Sequence, residues 1–393
     1  MEYFFLTEKM SVGYHTHPLI ENIEIGLKKG EILTLIGPNG AGKSTVLKSI
    51  ARQLALIGGA VYLDGQGVEQ MSGSELSQRM AVVLTEKLRV EMMTCEDVVA
   101  TGRYPYTGHF GILSEGDREA VREAMELVHV TEIRDKDFTR ISDGQRQRVM
   151  LARAICQEPE IIILDEPTSY LDVKYKLEFL SILQKMRKKK GLTVIMSLHE
   201  LELAARISDK ILCVNGKYVD RFGSPEEIFE QGYITRLFGI SSGSFDEENE
   251  SMELEAVRGD AKVFVIAGGG TGRNVYRSLQ RQEIPFVTGI LFRNDLDYPV
   301  AKALAACCIV AESFEPVPDA LLATAKEKMD SCTRVICCRE PFGTFEAANK
   351  ELLVYAREQE KEVEIINGKG DHGTGDDVQC GKEPSGSRAV QDL

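Results

Sequence analysis

Short apolar runs alternate with helical patterns along most of the chain. Residues 32–36 and 161–164 are runs of Ile, Leu and Thr without a charge, and a helical pattern follows the first run after a short loop. Uncharged runs of this length are typical of strands buried on both faces of a parallel sheet. The alternation predicts an α/β fold. Residues 1–240 are predicted to form one domain, which includes a helical insert at about 95–139.

The same alternation returns in the last third of the chain. Strands are predicted at residues 262–267, 286–292, 307–311, 334–338 and 363–366, with helices at 273–282, 298–306, 319–329 and 344–360. This order predicts a smaller, doubly wound, Rossmann-like α/β module of unknown role over residues 262–367.

Two segments break the alternation. Residues 241–257 contain six acidic side chains and no Lys or Arg, so residues 241–261 are predicted to form an acidic linker. Residues 368–393 are rich in Gly, Asp and Ser, which predicts a disordered tail.

A phosphate-binding loop follows the first apolar run. The stretch Gly37-Pro38-Asn39-Gly40-Ala41-Gly42-Lys43-Ser44-Thr45 fits the pattern G-x-x-x-x-G-K-[ST]. Its glycines allow backbone amides to converge on a polyphosphate, Lys43 neutralises the β- and γ-phosphates, and the Ser44 hydroxyl ligates Mg²⁺. The motif predicts a nucleotide triphosphatase that binds ATP and Mg²⁺ through Gly37, Asn39, Gly40, Gly42, Lys43, Ser44 and Thr45.

Two carboxylates follow the second apolar run. Asp165 ends the run 161–164 and Glu166 comes next, which is the Walker B arrangement. Asp165 is positioned to hold Mg²⁺ through water, and Glu166 to polarise the water that attacks the γ-phosphate. We therefore predict Asp165 as a metal ligand and Glu166 as a catalytic residue.

The segment 141–148, Ile-Ser-Asp-Gly-Gln-Arg-Gln-Arg, resembles the signature motif of ABC-type ATPases. Ser142 and Gln145 also form a capping box for a helix that runs to about Gln157. In the ABC family the signature of one subunit meets the γ-phosphate bound by the other. The resemblance implies a P-loop ABC nucleotide-binding domain that closes as a dimer around two ATP molecules, with Ser142, Gly144 and Gln145 contacting nucleotide.

Three further residues take roles from this resemblance. Asp172, in Ser169-Tyr170-Leu171-Asp172, is similar to the D-loop residue at the dimer seam. His199 resembles the switch histidine that contacts the γ-phosphate, which makes it a catalytic candidate. Tyr14 resembles the aromatic residue that stacks on adenine.

The chain departs from the family pattern at two positions. Asp143 replaces the first glycine of the usual Leu-Ser-Gly-Gly-Gln, so its carboxylate either repels phosphate or points away and complements the helix dipole. Thr85 stands where the Q-loop glutamine is expected, and its hydroxyl is a shorter candidate ligand for Mg²⁺.

The start of the insert resembles a particular branch of the family. Residues 94–108 include Gly-Arg-Tyr-Pro-Tyr and resemble importers that serve iron-siderophore, haem or vitamin B12 uptake. This implies an ATP-hydrolysing subunit bound to integral-membrane permease subunits and, through them, to a substrate-binding protein. The alternative is a soluble ABC ATPase that acts on DNA or ribosomes without a permease.

Net charge and the lengths of the apolar runs limit the classes of partner that the chain can have. The net charge of −14, from 61 acidic and 47 basic residues, argues against general binding to nucleic acid. The chain has no apolar run near the roughly 18 residues of a membrane span and no basic segment of a secretory signal at its start. We therefore predict a cytoplasmic protein that is peripheral on the inner face of the membrane. The nine cysteines are interpreted as reduced thiols, and those at 307–308, 332 and 337–338 as buried small hydrophobes.

A second glycine turn, residues 268–272, follows the first strand of the C-terminal module. It does not complete the dinucleotide pattern, because Val275 stands where the third small residue belongs. The module shows no constellation for hydride or acyl chemistry. A ligand-sensing or partner-docking role is therefore favoured, and an independent enzyme is the alternative.

Overall fold

The computed structural model describes residues 2–84, 90–108, 111–247 and 251–366, and it divides into two compact units, Met1–Met252 and Glu253–Leu393. Each unit has its own sheets and core. Within the described residues, none of the helices combines the length and apolar character that a bilayer span requires.

Among the described residues, ten strands of the first unit form its two larger sheets. They are β1 (Phe5–Tyr14), β2 (His17–Leu27), β3 (Ile32–Ile36), β4 (Gly58–Leu63), β5 (Gln66–Gly67), β6 (Met80–Val83), β7 (Ile161–Leu164), β8 (Thr193–Ser197), β9 (Lys210–Val214) and β10 (Val219–Gly223). Strands β2-β1-β4-β5 form an antiparallel sheet, and β10-β9-β3-β8-β7-β6 form a second sheet that is parallel except at β9–β10.

Helices of this unit lie in the connections between these strands and in the stretch after β10. They are α1 (Lys43–Ile50), α2 (Gly73–Arg79), α3 (Cys95–Ala100), α4 (Glu115–Leu127), α5 (Asp143–Cys156), α6 (Val173–Lys190), α7 (Leu201–Ile207), α8 (Pro225–Ile228) and α9 (Tyr233–Leu237). Helices α3, α4 and α5 each begin with a capping box, which satisfies two amides at the helix start. The Ser142–Gln145 box in α5 is the one that the sequence predicts.

Strand β3 lies in the middle of the larger sheet and is buried on both faces. Leu33 and Leu35 pack into the core shared with the antiparallel sheet, whereas Ile32 and Ile36 pack into the core on the helical side. A strand covered on both faces excludes charged side chains, which explains why this run does not alternate between apolar and charged positions. The phosphate-binding loop thus leaves a rigid part of the unit.

Within residues 263–366, the second unit forms five strands and four α-helices. They are β13 (Val263–Ile266), α10 (Arg273–Arg281), β14 (Phe286–Phe292), α11 (Tyr298–Leu304), β15 (Cys307–Ala311), α12 (Asp319–Asp330), β16 (Arg334–Cys337), α13 (Ala347–Glu358) and β17 (Glu362–Ile365). The strands form one parallel sheet in the order β15-β14-β13-β16-β17. Side chains of α10 and α11 cover one face, and those of α12 and α13 cover the other. The predicted fold class is therefore confirmed for both parts of the chain.

Some details differ from the sequence-based expectations. The segment predicted as a linker contains two short strands, β11 (Ser244–Asp246) and β12 (Ser251–Glu253). Cys307 and Cys308 are only half-buried, because β15 is an edge strand of the sheet. The predicted disordered tail, residues 368–393, lies outside the described residues.

Candidate functional site

Three motifs meet at one edge of the parallel sheet. Strands β3, β8 and β7 are adjacent, and they end at the phosphate-binding loop, at His199 and at Asp165 respectively. Parallel strands end on the same side of a sheet, so residues far apart in sequence come together there. This edge is the candidate functional site.

The glycines of the loop have distinct roles. Gly37 has φ +148°, and a Cβ on it would lie 2.0 Å from the carbonyl oxygen of Val214 on neighbouring β9, so no larger residue fits. Gly40 has φ +78° and open space around its Cα, with no heavy atom within 4 Å of a Cβ built there. The loop is therefore pressed against the sheet at one end and open at its tip, where Asn39 is also exposed.

Lys43 begins α1 and turns back into the loop. Its ammonium donates to the carbonyl oxygens of Gly37 at 2.8 Å and Pro38 at 3.0 Å, and the residue is buried. Burial lowers the pKa of Lys43 from its ordinary value, and the negative charges of Glu166 and Asp165 oppose that shift. The loop thus holds a cation beside the two carboxylates of β7, and Ser44 follows on the same turn of helix.

Ser197 links the two carboxylate residues, and sequence reasoning missed it. Its hydroxyl donates to Asp165 Oδ1 at 2.7 Å and accepts from the backbone N–H of Glu166 at 2.9 Å. Both Ser197 and Asp165 are buried. The sequence did contain a signal for Ser197: it places a hydroxyl near the end of the apolar run 193–198, two residues before His199. Ser197 fixes the direction of the Asp165 carboxylate.

Glu166 contacts the predicted switch histidine. His199 Nε2 lies 2.5 Å from Glu166 Oε1, and both side chains are partly accessible to solvent. Glu166 has φ +49°, a left-handed conformation that costs energy for a residue with a side chain and that persists where surrounding structure enforces it. The turn after β7 therefore directs this carboxylate toward His199.

Tyr14 lies beside the first turn of α1. Its hydroxyl is 3.2 Å from Thr45 Oγ1, and 55% of the residue is exposed. An exposed aromatic residue anchored beside the phosphate loop has a free face for a flat ring. This position suits the adenine-stacking role predicted for Tyr14.

The signature residues lie against the D-loop of the same chain. A Cβ on Gly144 would lie 3.2 Å from the carbonyl oxygen of Tyr170, and Gln147 Nε2 donates to the carbonyl of Pro167 at 3.2 Å. Ser142 and Gln145 are held by their reciprocal capping bonds of 3.1 and 3.2 Å. The first turn of α5 is therefore fixed relative to the segment that follows the Walker B carboxylates.

Asp143, one of the two departures from the family pattern, is paired. Its Oδ1 accepts from Arg146 Nη1 at 2.6 Å, one helical turn along α5. Of the two orientations that the sequence left open, this bond shows the carboxylate engaged by an arginine of its own helix. The other departure, Thr85, lies outside the described residues.

Asp172 and Glu200 organise the segment after Walker B. Asp172 is exposed and caps α6, accepting from the N–H of Tyr175 at 3.0 Å. Glu200, which the sequence did not single out, accepts from Thr168 Oγ1 at 2.9 Å and pairs with Lys176 at 2.6 Å. The residue after His199 thus connects the histidine strand to the D-loop.

The donor set fits a magnesium-bound polyphosphate. The open glycine tip and the adjacent ammonium of Lys43 suit phosphate oxygens, and the oxygen donors of Ser44 and Asp165 are of the kind that Mg²⁺ prefers. Within the described residues, Lys43, Asp165, Glu166 and His199 form one cluster. The signature residues and Asp172 belong to the neighbouring D-loop region.

The second glycine turn is arranged differently. The N–H of Gly269 donates to both oxygens of Asp295 at 3.0 Å, and the N–H groups of Gly272 and Arg273 donate to Asp297 at 2.9 and 3.1 Å. Asp297 is fully buried, and burial, with a smaller effect of Asp295, raises its pKa. The amides at the start of α10 thus have partners from the loop after β14.

A buried arginine fixes the predicted importer segment. Arg103 is 7% exposed and bonds to Asp117 at 2.8 Å, to Glu158 at 3.0 Å and to the carbonyl of Cys156 at 2.8 Å. Its guanidinium stacks 4.0 Å from the ring of Tyr106, whose hydroxyl donates to the carbonyl of Gln157 at 2.8 Å. The segment is therefore attached to the C-terminal end of the signature helix α5.

Comparison with known proteins gives two family matches and several relatives. The ABC transporter family matches residues 20–169, and the MJ0874 family matches residues 286–388. An uncharacterized ABC transporter ATP-binding protein of Methanocaldococcus jannaschii is 42% identical over 287 residues, which are 72% of this chain and 99% of that protein.

Two further proteins are similar over the first unit. The iron(3+)-hydroxamate import ATP-binding protein of Bacillus subtilis is 36% identical over 236 residues, covering 60% of this chain and 88% of that protein. The structure of a metal-chelate type ABC transporter in an inward-facing conformation matches with a TM-score of 0.52 and 25% identity. It covers 63% of this chain and 94% of the other.

Proposed function

This chain belongs to the family of ABC transporter ATP-binding proteins, and on that premise we propose that it powers uptake of an iron–siderophore, haem or cobalamin. As a family member it binds and hydrolyses ATP. Similarity to an iron(3+)-hydroxamate import protein favours a ferric siderophore among these three cargoes.

We propose the following roles for the cluster at the sheet edge. The loop 37–45 holds the phosphates, with Lys43 beside the γ-phosphate and Tyr14 against adenine. Glu166 orients and deprotonates the attacking water, and His199, 2.5 Å from it, contacts the γ-phosphate. Mg²⁺, held by Ser44 and through water by Asp165, would supply charge neutralisation on the phosphates.

The proposed working unit is a pair of these cassettes. Ser142, Gly144 and Gln145 of one copy, together with Asp172, would close over the nucleotide of the other. This proposal is supported by the contacts that Gly144 and Gln147 make between the signature helix and the segment of the D-loop. Closure with ATP and reopening after hydrolysis then drive the attached permease.

The observation that carries the permease assignment is the attachment of an exposed aromatic segment to the signature helix. Tyr104 is 57% exposed and Tyr106 is 40% exposed. Arg103 bonds to the carboxylate of Asp117 and to the carbonyl of Cys156 at the end of α5, and these bonds hold the segment in place. Exposed tyrosines are favoured at protein interfaces. A partner bound there would move with α5, which runs from Asp143, beside the proposed nucleotide-contacting Ser142, to Cys156.

Co-purification with the native neighbouring proteins tests this function. We expect tagged full-length chain carrying Glu166→Gln to retain ATP and to recover a polytopic membrane protein. Tyr104→Asp should reduce that recovery severalfold. Tyr218→Asp is the matched control, since Tyr218 is 52% exposed and lies next to β10, outside the insert.

The cargo is tested separately, by uptake of labelled ferric hydroxamate, haem and cobalamin in cells that carry wild type or Glu166→Gln. Uptake of one cargo that stops in the variant identifies it. Recovery of ribosomes or DNA in place of a membrane protein would instead establish the alternative, an ABC ATPase that works without a permease.

A further inference from the structure

The C-terminal unit and the family that matches it have different starting points. The MJ0874 family begins at residue 286, at the start of β14, whereas the sheet of this unit begins with β13 at Val263. Strand β13 and helix α10 therefore lie outside the family match. They nevertheless belong to the same compact unit as β14–β17.

Strand β13 is the centre of the sheet. It pairs in parallel with β14 on one side and β16 on the other, and its four residues, Val263–Ile266, are all at most 4% exposed. Without it the order β15-β14-β13-β16-β17 becomes two separate two-stranded pairs. Such pairs are marginal in water, and both would present an unpaired apolar edge.

Helix α10 is joined to the rest of the unit across the same boundary. Tyr276 is fully buried and stacks on Phe286, with ring centroids 5.1 Å apart and the planes tilted by 8°. Asp297, from beyond β14, accepts the N–H groups of Gly272 and Arg273 at the start of α10. Strand β13 and helix α10 thus make the contacts of a core element, and their partners are residues from 286 onward, within the family match.

The length of the Methanocaldococcus jannaschii relative shows where that polypeptide stops. The match covers 72% of this chain, about 283 residues, and uses 99% of the relative. A match of that length that includes the phosphate-binding loop at residue 37 ends between about residue 283 and about residue 319. The relative therefore has counterparts of β13 and α10, and it has no length left for β16 and β17.

We infer that β13 and α10 form a docking element carried by the ATPase polypeptide, and that its partner is a polypeptide of the MJ0874 family, which completes a parallel sheet around β13. In this chain the two components are joined covalently at residues 282–286. In a relative that stops after α10, the partner is a separate chain. An apolar four-residue strand and its helix cannot bury both faces alone, so the element requires this partner.

Dividing the chain at the joint tests the inference. Gln282 and Glu283 are exposed, so the whole chain is supplied as two co-expressed polypeptides, residues 1–282 with a tag and residues 283–393. We expect recovery at one to one, with ATP hydrolysis by the cassette unchanged. The Methanocaldococcus jannaschii relative, tagged and co-expressed with residues 283–393, should recover the same polypeptide, whereas undivided chain should not, because its own sequence already fills the sheet.

Two variants show whether β13 carries the binding. Val265→Asp in residues 1–282 places a charge at the sheet centre and should weaken recovery about 100-fold or more. Lys262→Ala, at the exposed neighbouring position, should not change it. ATP hydrolysis by the tagged half reports that the cassette is folded in both cases.

The remaining outcomes overturn the inference. Failure of the two halves to assemble would show that the joint is not a boundary between components. Assembly of the halves without recovery by the relative would show that the relative lacks the element. Equal recovery by undivided chain would show that the binding does not use the sheet position of β13.

Discussion

The two glycine turns of this chain occupy equivalent places in their units, but one is open at its tip and the other is filled by carboxylates of a neighbouring loop. Each follows a buried parallel strand and precedes a helix, at Gly37–Lys43 in the first unit and Gly268–Gly272 in the second. The first has an open glycine tip beside an inward-facing lysine. The second has its amides bonded to the carboxylates of Asp295 and Asp297.

The difference lies in what neighbouring elements contribute. Anion binding at a helix start needs amides that are available and a favourable charge. In the second unit the loop after β14 supplies carboxylates in the place of a ligand anion, so a nucleotide phosphate would have to displace buried or bonded side chains. A glycine turn after a strand therefore indicates a possible phosphate site, and the adjacent loop decides whether it can act as one.

The largest expected effect concerns the chemistry beside the first turn. Glu166→Gln removes the proposed general base, and we expect hydrolysis to fall about 100- to 10,000-fold. ATP binding should persist, because Lys43 and the loop are unchanged. Single-turnover hydrolysis and equilibrium ATP binding measure the two quantities. Equal hydrolysis in variant and wild type would remove Glu166 from the mechanism.

Lys43→Ala should weaken ATP binding about 10- to 150-fold. This is the equivalent of roughly 1.5–3 kcal/mol for a hydrogen bond to a charged group. The matched control is Arg273→Ala, which removes the cation at the start of α10 after the second turn. We expect nucleotide affinity, measured by titration calorimetry, to stay unchanged there. A comparable loss in both variants would contradict the contrast between the turns.

Asp297→Ala should destabilise the second unit and spare the first. The buried N–H of Gly272 and the partly buried N–H of Arg273 lose their acceptor, and leaving a buried group unsatisfied costs about 1–3 kcal/mol. Hydrogen exchange of the α10 amides should accelerate by at least about 30-fold, while ATP hydrolysis remains. Unchanged exchange would show that this carboxylate is not what holds the turn.

A smaller, pH-dependent effect follows from the same side chain. Because burial raises the pKa of Asp297 in the folded unit, folding favours its protonated form. Its stability contribution is present below the ordinary pKa of about 3.9 and is lost as pH rises through the raised value. Protection of α10, corrected for intrinsic exchange, should therefore fall across that window in wild type. Asp297→Asn should abolish this dependence.

The smallest effect is expected at Asp143→Gly, which restores the usual signature residue. Asp143 is paired with Arg146 and partly exposed, and such surface pairs contribute about 0–1 kcal/mol. ATP hydrolysis should change by less than about fivefold. A larger increase in steady-state rate would mean that the carboxylate impedes phosphate binding across the dimer.

Much of the fold was predictable from local patterns. Strands 286–292 and 307–311 have the predicted bounds. The roles of Lys43, Glu166 and His199 follow from motifs, and they stay predictions until tested. Ser197 and Glu200 were missed because each acts on a residue 31 or 32 positions away, across the sheet.

Local sequence patterns were enough to predict the buried strands β3 and β7, the phosphate-binding loop, the capping box at Ser142 and the order of strands and helices in the second unit. These depend on contacts between residues a few positions apart, which a local pattern contains. Three features emerged only from the packed chain: Ser197 bridges Asp165 and Glu166, Asp295 and Asp297 occupy the second turn, and β13 is the central strand of its sheet. Those facts depend on strand order and loop direction, which bring distant residues within hydrogen-bond range only after the chain has packed.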